Sequence, residues 1–421
     1  MRSTAGSHTI PTHMNLPDST PQFPGIGGSL KQRPEDFFVQ EIPLYEPTGQ
    51  GEHVYCEIEK IGTTTFDAID KIARALNVHQ RDIGYAGLKD ANAISSQIFS
   101  IVGTTESAVM NLHLPRMTVK WAVRHGNKLR LGHLQGNRFA VKIRDVTPTD
   151  VVKLTPLVRH IQQHGMPNYF GEQRFGRRHN NHLLGAALLG DDSAGVLKLL
   201  LGSPDPTIDD HHQLKARQSF DRNDLPTSMK QWPRSSGMER RILARFIKTK
   251  NPTAAVRAVD ERIRRLWISS LQSDLFNAVV ARRIQTLDKL IPGDLAEKHD
   301  SGGVFRVLDI AAEQPRCDAF DISPTGPLIG YRMTAPEAEA LQIEQEIFAA
   351  HNLRPSDFRV AGRLKVKGAR RSLRVKVKDI DLSAGVDEHG AYITAAFSLP
   401  AGSFATVFLR ELMKVESETP D

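Results

Sequence analysis

Two kinds of hydrophobic spacing divide this chain, and their order along it narrows the folds open to it most. Period-two alternation marks half-buried strands and lies near both ends; three- and four-residue spacing marks amphipathic helices and fills the middle. "RPEDFFVQEIPL" reads as a turn at Arg33-Pro34 leading into a strand with Phe37, Phe38 and Val39. "KLRLGHLQGNRFAVKIRDV" reads as two strands around a Gln135-Gly136-Asn137 turn, with Phe139, Val141 and Ile143 alternating against Lys142 and Arg144. Late in the chain "RSLRVKVKDI" sets Leu373, Val375 and Val377 against Arg374, Lys376 and Lys378. "AYITAAFSLP" and "SFATVFLREL" complete this strand-rich end.

Helical patterns dominate from about residue 150 to 201 and again from 254 to 290. Between them runs a polar, proline-dotted stretch expected to be loop or weak helix. An early helix is also expected in "TTTFDAIDKIARALNV", where Phe66, Ile69, Ile72 and Leu76 share a stripe and Thr64 with Asp67 forms a capping-box-like start. Strand-rich ends around a helix-rich middle imply an α+β chain: a mixed-sheet domain built from both termini, interrupted by an inserted domain. The 421 residues are ample for two or three hydrophobic cores.

Charge and cysteine content narrow the function. Lys and Arg outnumber Asp and Glu by 55 to 48, which favours a polyanionic partner. Two cysteines, Cys56 and Cys317, argue for a reducing compartment and against a disulfide framework or a cysteine-rich zinc site. The N-terminal residues hold no apolar run of signal-peptide length, so a cytoplasmic protein with a flexible tail over residues 1–21 is expected.

Cofactor motifs are weak. "GIGGS" lacks the Walker lysine, and no G-x-G-x-x-G follows a strand. His160 and His164 stand four apart on a helix without a third ligand, and His211 and His212 sit in the polar stretch; all four read as surface histidines. Neither metal nor cofactor is expected. The basic residues carry more weight. Lys365, Lys367, Arg370, Arg371, Arg374, Lys376 and Lys378 form one set, Arg174, Arg177 and Arg178 another, and Arg124, Lys128 and Arg130 a third. Together they read as a phosphate-tracking surface. In "IGYAGLKDANAISSQIFSI" a single aspartate, Asp90, ends a glycine-punctuated segment, and catalytic groups favour such loops at element ends.

That segment closely resembles the catalytic motif of the TruD family of pseudouridine synthases. Further resemblances follow in order: "PEDFFVQE", "KLRLGHLQGNRF", "PNYFGEQRFG", "QSDLFNAVVARR", "TGPLIG" and "LPAGSFATVFLREL". The catalytic block departs from the "KDKxAxT" form at two positions. Ala91 stands where a second lysine is common, and Ser95 replaces the threonine; both changes leave the aspartate in place.

The resemblance implies isomerisation of uridine to pseudouridine in tRNA, with uridine 13 the expected position, and with no cofactor or metal. Asp90 would act at the ribose, as nucleophile or as general base. Phe37, Asn137 and Phe404 are the implied pocket residues, with Phe139 beside them; core packing is the competing role for the three phenylalanines. A desolvated carboxylate needs a cationic neighbour to stay ionised. Lys31 and Lys89 are the candidates, Lys31 slightly preferred because Lys89 adjoins Asp90 in sequence and would point to the opposite face. The implied architecture is a pseudouridine-synthase-like mixed sheet from residues 22–164 and 374–421, with a helix-rich α/β TRUD domain inserted over 165–373. RNA would lie in a cleft lined by the basic clusters. No protein partner is implied, and a monomer is expected. The competing classes are a single-aspartate RNA hydrolase, which lacks a second carboxylate or metal, and a non-catalytic RNA-binding module.

Overall fold

The first strand, β1 (Phe37–Pro43), lies at the centre of a sheet, between two strands that both follow it in the chain. In the computed structural model, which describes residues 16–30, 32–89, 92–359 and 364–415, the chain separates into two compact units. One contains Asp18–Asn168 with residues 374–415, and the other contains Tyr169–Leu373.

The first unit is built on an eight-stranded mixed sheet. Its remaining strands are β2 (His53–Ile61), β3 (Ile83–Tyr85), β4 (Ile94–Val102), β5 (Met117–His125), β6 (Leu134–Arg144), β7 (Lys378–Asp387) and β8 (Gly390–Pro400). The order is β7-β8-β6-β1-β4-β2-β5, with β3 on β4, so the C-terminal hairpin extends the sheet laid down by the N-terminal residues. β1 runs parallel to β4 and antiparallel to β6. Register places Val39 opposite Phe139 and Phe139 opposite Phe397, so three strands contribute to one apolar face.

Helices near both ends of the chain pack on that face. In the helix Thr65–Leu76 the Thr64 hydroxyl accepts from the Asp67 N–H at 3.1 Å, while Ala68, Ile69, Ile72 and Ala73 pack on Val54, Cys56, Ile58 and Phe99. Phe66, expected in the buried stripe, is 60% exposed; Thr65 and Ala68 complete the first turn instead, and the Phe66 ring meets Tyr85 edge-on. The helix Ala405–Met413 sets Phe408 4.5 Å from Phe397. "SFATVFLREL" is therefore helical rather than a strand. Val407, Phe408, Leu409 and Leu412 recur with a helical step and bury one side.

No turn forms at Gln135-Gly136-Asn137: β6 is continuous from Leu134. Gly136 serves close strand approach, since a Cβ there would lie 2.3 Å from the Leu399 carbonyl oxygen of β8.

In the unit Tyr169–Leu373 a long buried helix, Glu261–Arg282, backs a four-stranded sheet and a helical cluster around Trp232 and Trp267. The polar stretch holds two helices, His211–Asp221 and Leu225–Gln231, started by the side chains of Asp210 and Asp224.

The "RSLRVKVKDI" segment is not one alternating strand. Ala369–Ser372 joins the smaller sheet, Arg374–Val375 pairs with Met166–Pro167, and β7 begins at Lys378. Three arginines of the expected basic surface are consequently internal. Arg374 is fully buried and donates to the His164 carbonyl at 2.8 Å, and the Arg370 side chain is 3% exposed against Glu344. The Arg371 guanidinium stacks 4.3 Å over the Phe170 ring, where burial pulls its pKa down to about 10. Arg178 likewise pairs with Asp209, and Arg174 donates to Ser273.

Candidate active site

The segment that precedes residue 90 is pinned to the sheet by a chain of polar contacts. Thr65, first residue of its helix, accepts from the Lys89 N–H at 2.9 Å and donates to the Gln97 carboxamide oxygen at 3.1 Å. Gln97, fully buried on β4, turns its amide to the Gly87 carbonyl at 2.7 Å. The helix start and the middle of β4 thus hold both ends of a three-residue stretch, leaving Leu88 60% exposed between them.

The Lys89 side chain is buried. Its ammonium lies 3.2 Å from Glu41 Oε1 on β1 and donates to Asn137 Oδ1 on β6 at 2.5 Å. Glu41 and Asn137 are register partners, so one lysine spans two neighbouring strands. Side-chain exposure is 7% for Lys89 and 1% for Glu41. The other Glu41 oxygen accepts from the Ile98 N–H at 3.0 Å. Burial pushes the Glu41 carboxyl above its ordinary pKa, while Lys89, the Ile98 N–H and Lys60 pull it back towards ionisation. Lys60, on β2, has no solvent exposure and donates to the Thr63 carbonyl at 2.6 Å.

Phe37 and Phe139 fall on the same face as Glu41 and Asn137, two or four residues along their strands. Their rings meet edge-on at 6.1 Å, and Phe139 stacks on Phe397 at 5.2 Å. Both are buried, so their packing role is plain in the structure. Asn137 is half-buried. Phe404 caps the C-terminal helix, half-buried, four residues beyond Pro400, whose register partner is Gly136. The structure therefore brings Phe37, Lys89, Asn137 and Phe139 to one face of the sheet. Lys31, Asp90 and Ala91 lie outside the described residues.

Glu41 and Gln97 lie inside the quoted blocks "PEDFFVQE" and "IGYAGLKDANAISSQIFSI", but sequence alone assigns a role neither to them nor to Lys60 and Thr65. Two of them carry a readable signal: Glu41 is in phase with Phe37 and Val39, and Lys60 with Cys56 and Ile58. A charge in the apolar phase of a strand must find a partner inside.

An open cleft of about 390 Å³ in the same unit is lined by Gln40, Glu41, Glu46, Glu57 and Trp121. Its carboxylates suit no phosphate. Among the described residues no cluster of His, Cys, Asp and Glu could hold a metal ion, and no helix is long and apolar enough to cross a membrane. Both cysteines are free and buried.

Comparison with known proteins defines the class of this fold. A solved structure described as the putative tRNA pseudouridine synthase D from Methanosarcina mazei superposes with a TM-score of 0.83 at 28% identity, covering 96% of this chain and 99% of that one. The match marks a pseudouridine-synthase fold. The family model described as tRNA pseudouridine synthase D (TruD) matches residues 16–412, and the chain belongs to that family of tRNA-modifying isomerases. Relatives named tRNA pseudouridine synthase D include one from Geotalea daltonii, 44% identical over 94% of this chain and 99% of the relative. Another, from Geobacter sulfurreducens, is 43% identical over 94% of this chain and 96% of the relative.

Proposed function

We propose that this protein isomerises uridine 13 of tRNA to pseudouridine with Asp90 as its one essential carboxylate, and that the unit Tyr169–Leu373 is the inserted TRUD domain. The observation that carries the reading is the clamping of Lys89 between Glu41 and Asn137. It anchors the residue adjoining Asp90 on the sheet face that also bears Phe37 and Phe139. A loop held this firmly can present a carboxylate to a ribose with little ordering cost at the moment of reaction.

In the reaction the bond from N1 of uracil to C1′ breaks, the base turns, and C5 bonds to the same carbon; the C5 proton leaves and N1, freed from the sugar, takes up a proton. Nothing is added and no electrons are exchanged with the surroundings. Asp90 attacks C1′ or removes a ribose proton; both roles need an ionised carboxylate. Extruding the uridine from its stack costs a few kcal/mol, which stacking on Phe404 and hydrogen bonds from Asn137 would offset.

The test is position-resolved mapping of pseudouridine in a tRNA transcript treated with the purified protein. Conversion confined to uridine 13 is the expected result. Cleaved RNA, or bound RNA left unchanged, would overturn the reading.

A further inference from the structure

Lys89 also fixes which way the Asn137 amide faces. An ammonium carries only donors, so the Asn137 atom 2.5 Å from Lys89 Nζ is the carbonyl oxygen, and the amide cannot be turned over. Its NH2 group is then directed away from the lysine, and no described residue accepts a hydrogen bond from it. Glu41 holds the lysine in place, since its carboxylate is buried beside the ammonium and itself anchored by the Ile98 N–H. Without that charge the ammonium loses its buried partner, and the amide is free to present either its oxygen or its nitrogen.

We propose that Glu41 is a positioning residue for base selection: through Lys89 it locks the Asn137 amide so that its NH2 donates to a uracil carbonyl oxygen. The inference rests on the uridine-isomerase reading and deepens it. Uracil and cytosine differ at position 4, where uracil offers a carbonyl acceptor and cytosine an amino donor. A locked donor at that position accepts uracil and meets cytosine donor to donor. A freely turning amide serves both bases.

The experiment measures binding, so that any separate part Lys89 plays in turnover does not intrude. Pseudouridine formation by the unsubstituted protein is scored first, and its absence would sink the isomerase reading rather than this one. All affinities are then taken in an Asp90→Asn background with two tRNAs identical except for uridine or cytidine at the modified position. The background should prefer uridine by about tenfold or more, the discrimination a well-placed base contact supplies. Glu41→Gln should bring the two affinities within about threefold of each other, and Asn137→Asp, which offers only acceptors, should do the same or reverse the order. Should Glu41→Gln not fold, Glu41→Gln/Lys89→Met removes both buried charges, and the same collapse of preference is expected. A merely structural pair would leave the ratio intact in the folded variants. An unchanged ratio, or a background showing no preference for uridine, overturns the proposal.

Discussion

The Arg370 guanidinium donates to Glu344 at 2.7 Å, and each side chain is 3% exposed. The same arginine donates to the Thr325 carbonyl at 2.7 Å, closing a buried network across Ile322–Leu328 and Ala369–Ser372. Burial raises the Glu344 pKa, and Arg370 opposes that rise. A residue so placed has no freedom to follow a phosphate backbone.

Arg370→Ala is therefore expected to act on stability. Removing one partner strands the other charge inside, at about 3–5 kcal/mol. Chemical denaturation should show that loss, and Arg370→Met/Glu344→Leu should recover most of it, because apolar replacement of both partners is often neutral. Equal stability of Arg370→Ala and the parent would contradict the burial seen here.

RNA affinity should instead depend on cations that reach solvent. Lys376 and Lys378 are exposed, whereas Arg374 between them and the smaller sheet is internal. Lys376→Ala/Lys378→Ala should weaken tRNA binding and flatten the plot of log affinity against log salt by about 0.7–0.9 for each phosphate no longer neutralised. An unaltered slope would place these lysines away from the RNA.

The contrast between Arg374 and Lys376 also marks where sequence stops being informative. Alternation predicts that both face solvent, but a strand's phase holds only while the strand continues. Here the chain leaves one sheet at Ser372 and enters a short pairing at Arg374, and no local residue announces the break. Gly136 misleads in a related way, because a glycine needed for a turn and one needed for close strand approach look alike in sequence. The sheet built from both chain ends was legible, since its alternation is set by burial on one face. The candidate site was legible chiefly through its motif. Glu41 could have been found from its phase on β1, but its partner, 48 residues further on at Lys89, could not.

A pH dependence of folding is expected from Glu411. Burial alone would raise its pKa, yet Lys414 at 2.6 Å, the Thr20 hydroxyl at 2.5 Å and the Ser19 N–H at 2.6 Å hold it below the ordinary 4.5. A carboxylate depressed in the folded state stabilises above its unfolded pKa and ceases to as pH falls through the folded value. Glu411→Gln should thus cost about 1.5–3 kcal/mol at neutral pH, the range for hydrogen bonds to a charged group. The gap from the parent should narrow below about pH 4.5. Denaturant midpoints at pH 7 and pH 3 check both limbs, and a gap that widens in acid would refute the assignment.

Asp90→Asn gives the most direct test of the chemistry. Asparagine matches aspartate in size but offers neither a nucleophilic carboxylate nor a base. Lys89 remains paired with Glu41 and Asn137 in this variant, so the approach to residue 90 keeps its anchors. Thermal melting should accordingly stay close to the parent. Affinity for tRNA should also be kept, because it comes from phosphate contacts and base stacking at other residues. Pseudouridine formation should drop to background, a loss of at least about 10³-fold, since a covalent or acid–base role removed outright leaves only binding and orientation. Product is best counted after single-turnover incubation with excess protein, which separates loss of chemistry from slow release. Substantial conversion by the folded variant would show that another group carries the reaction, and Glu41, buried on the face that bears Asn137 and Phe139, would be the next carboxylate to replace.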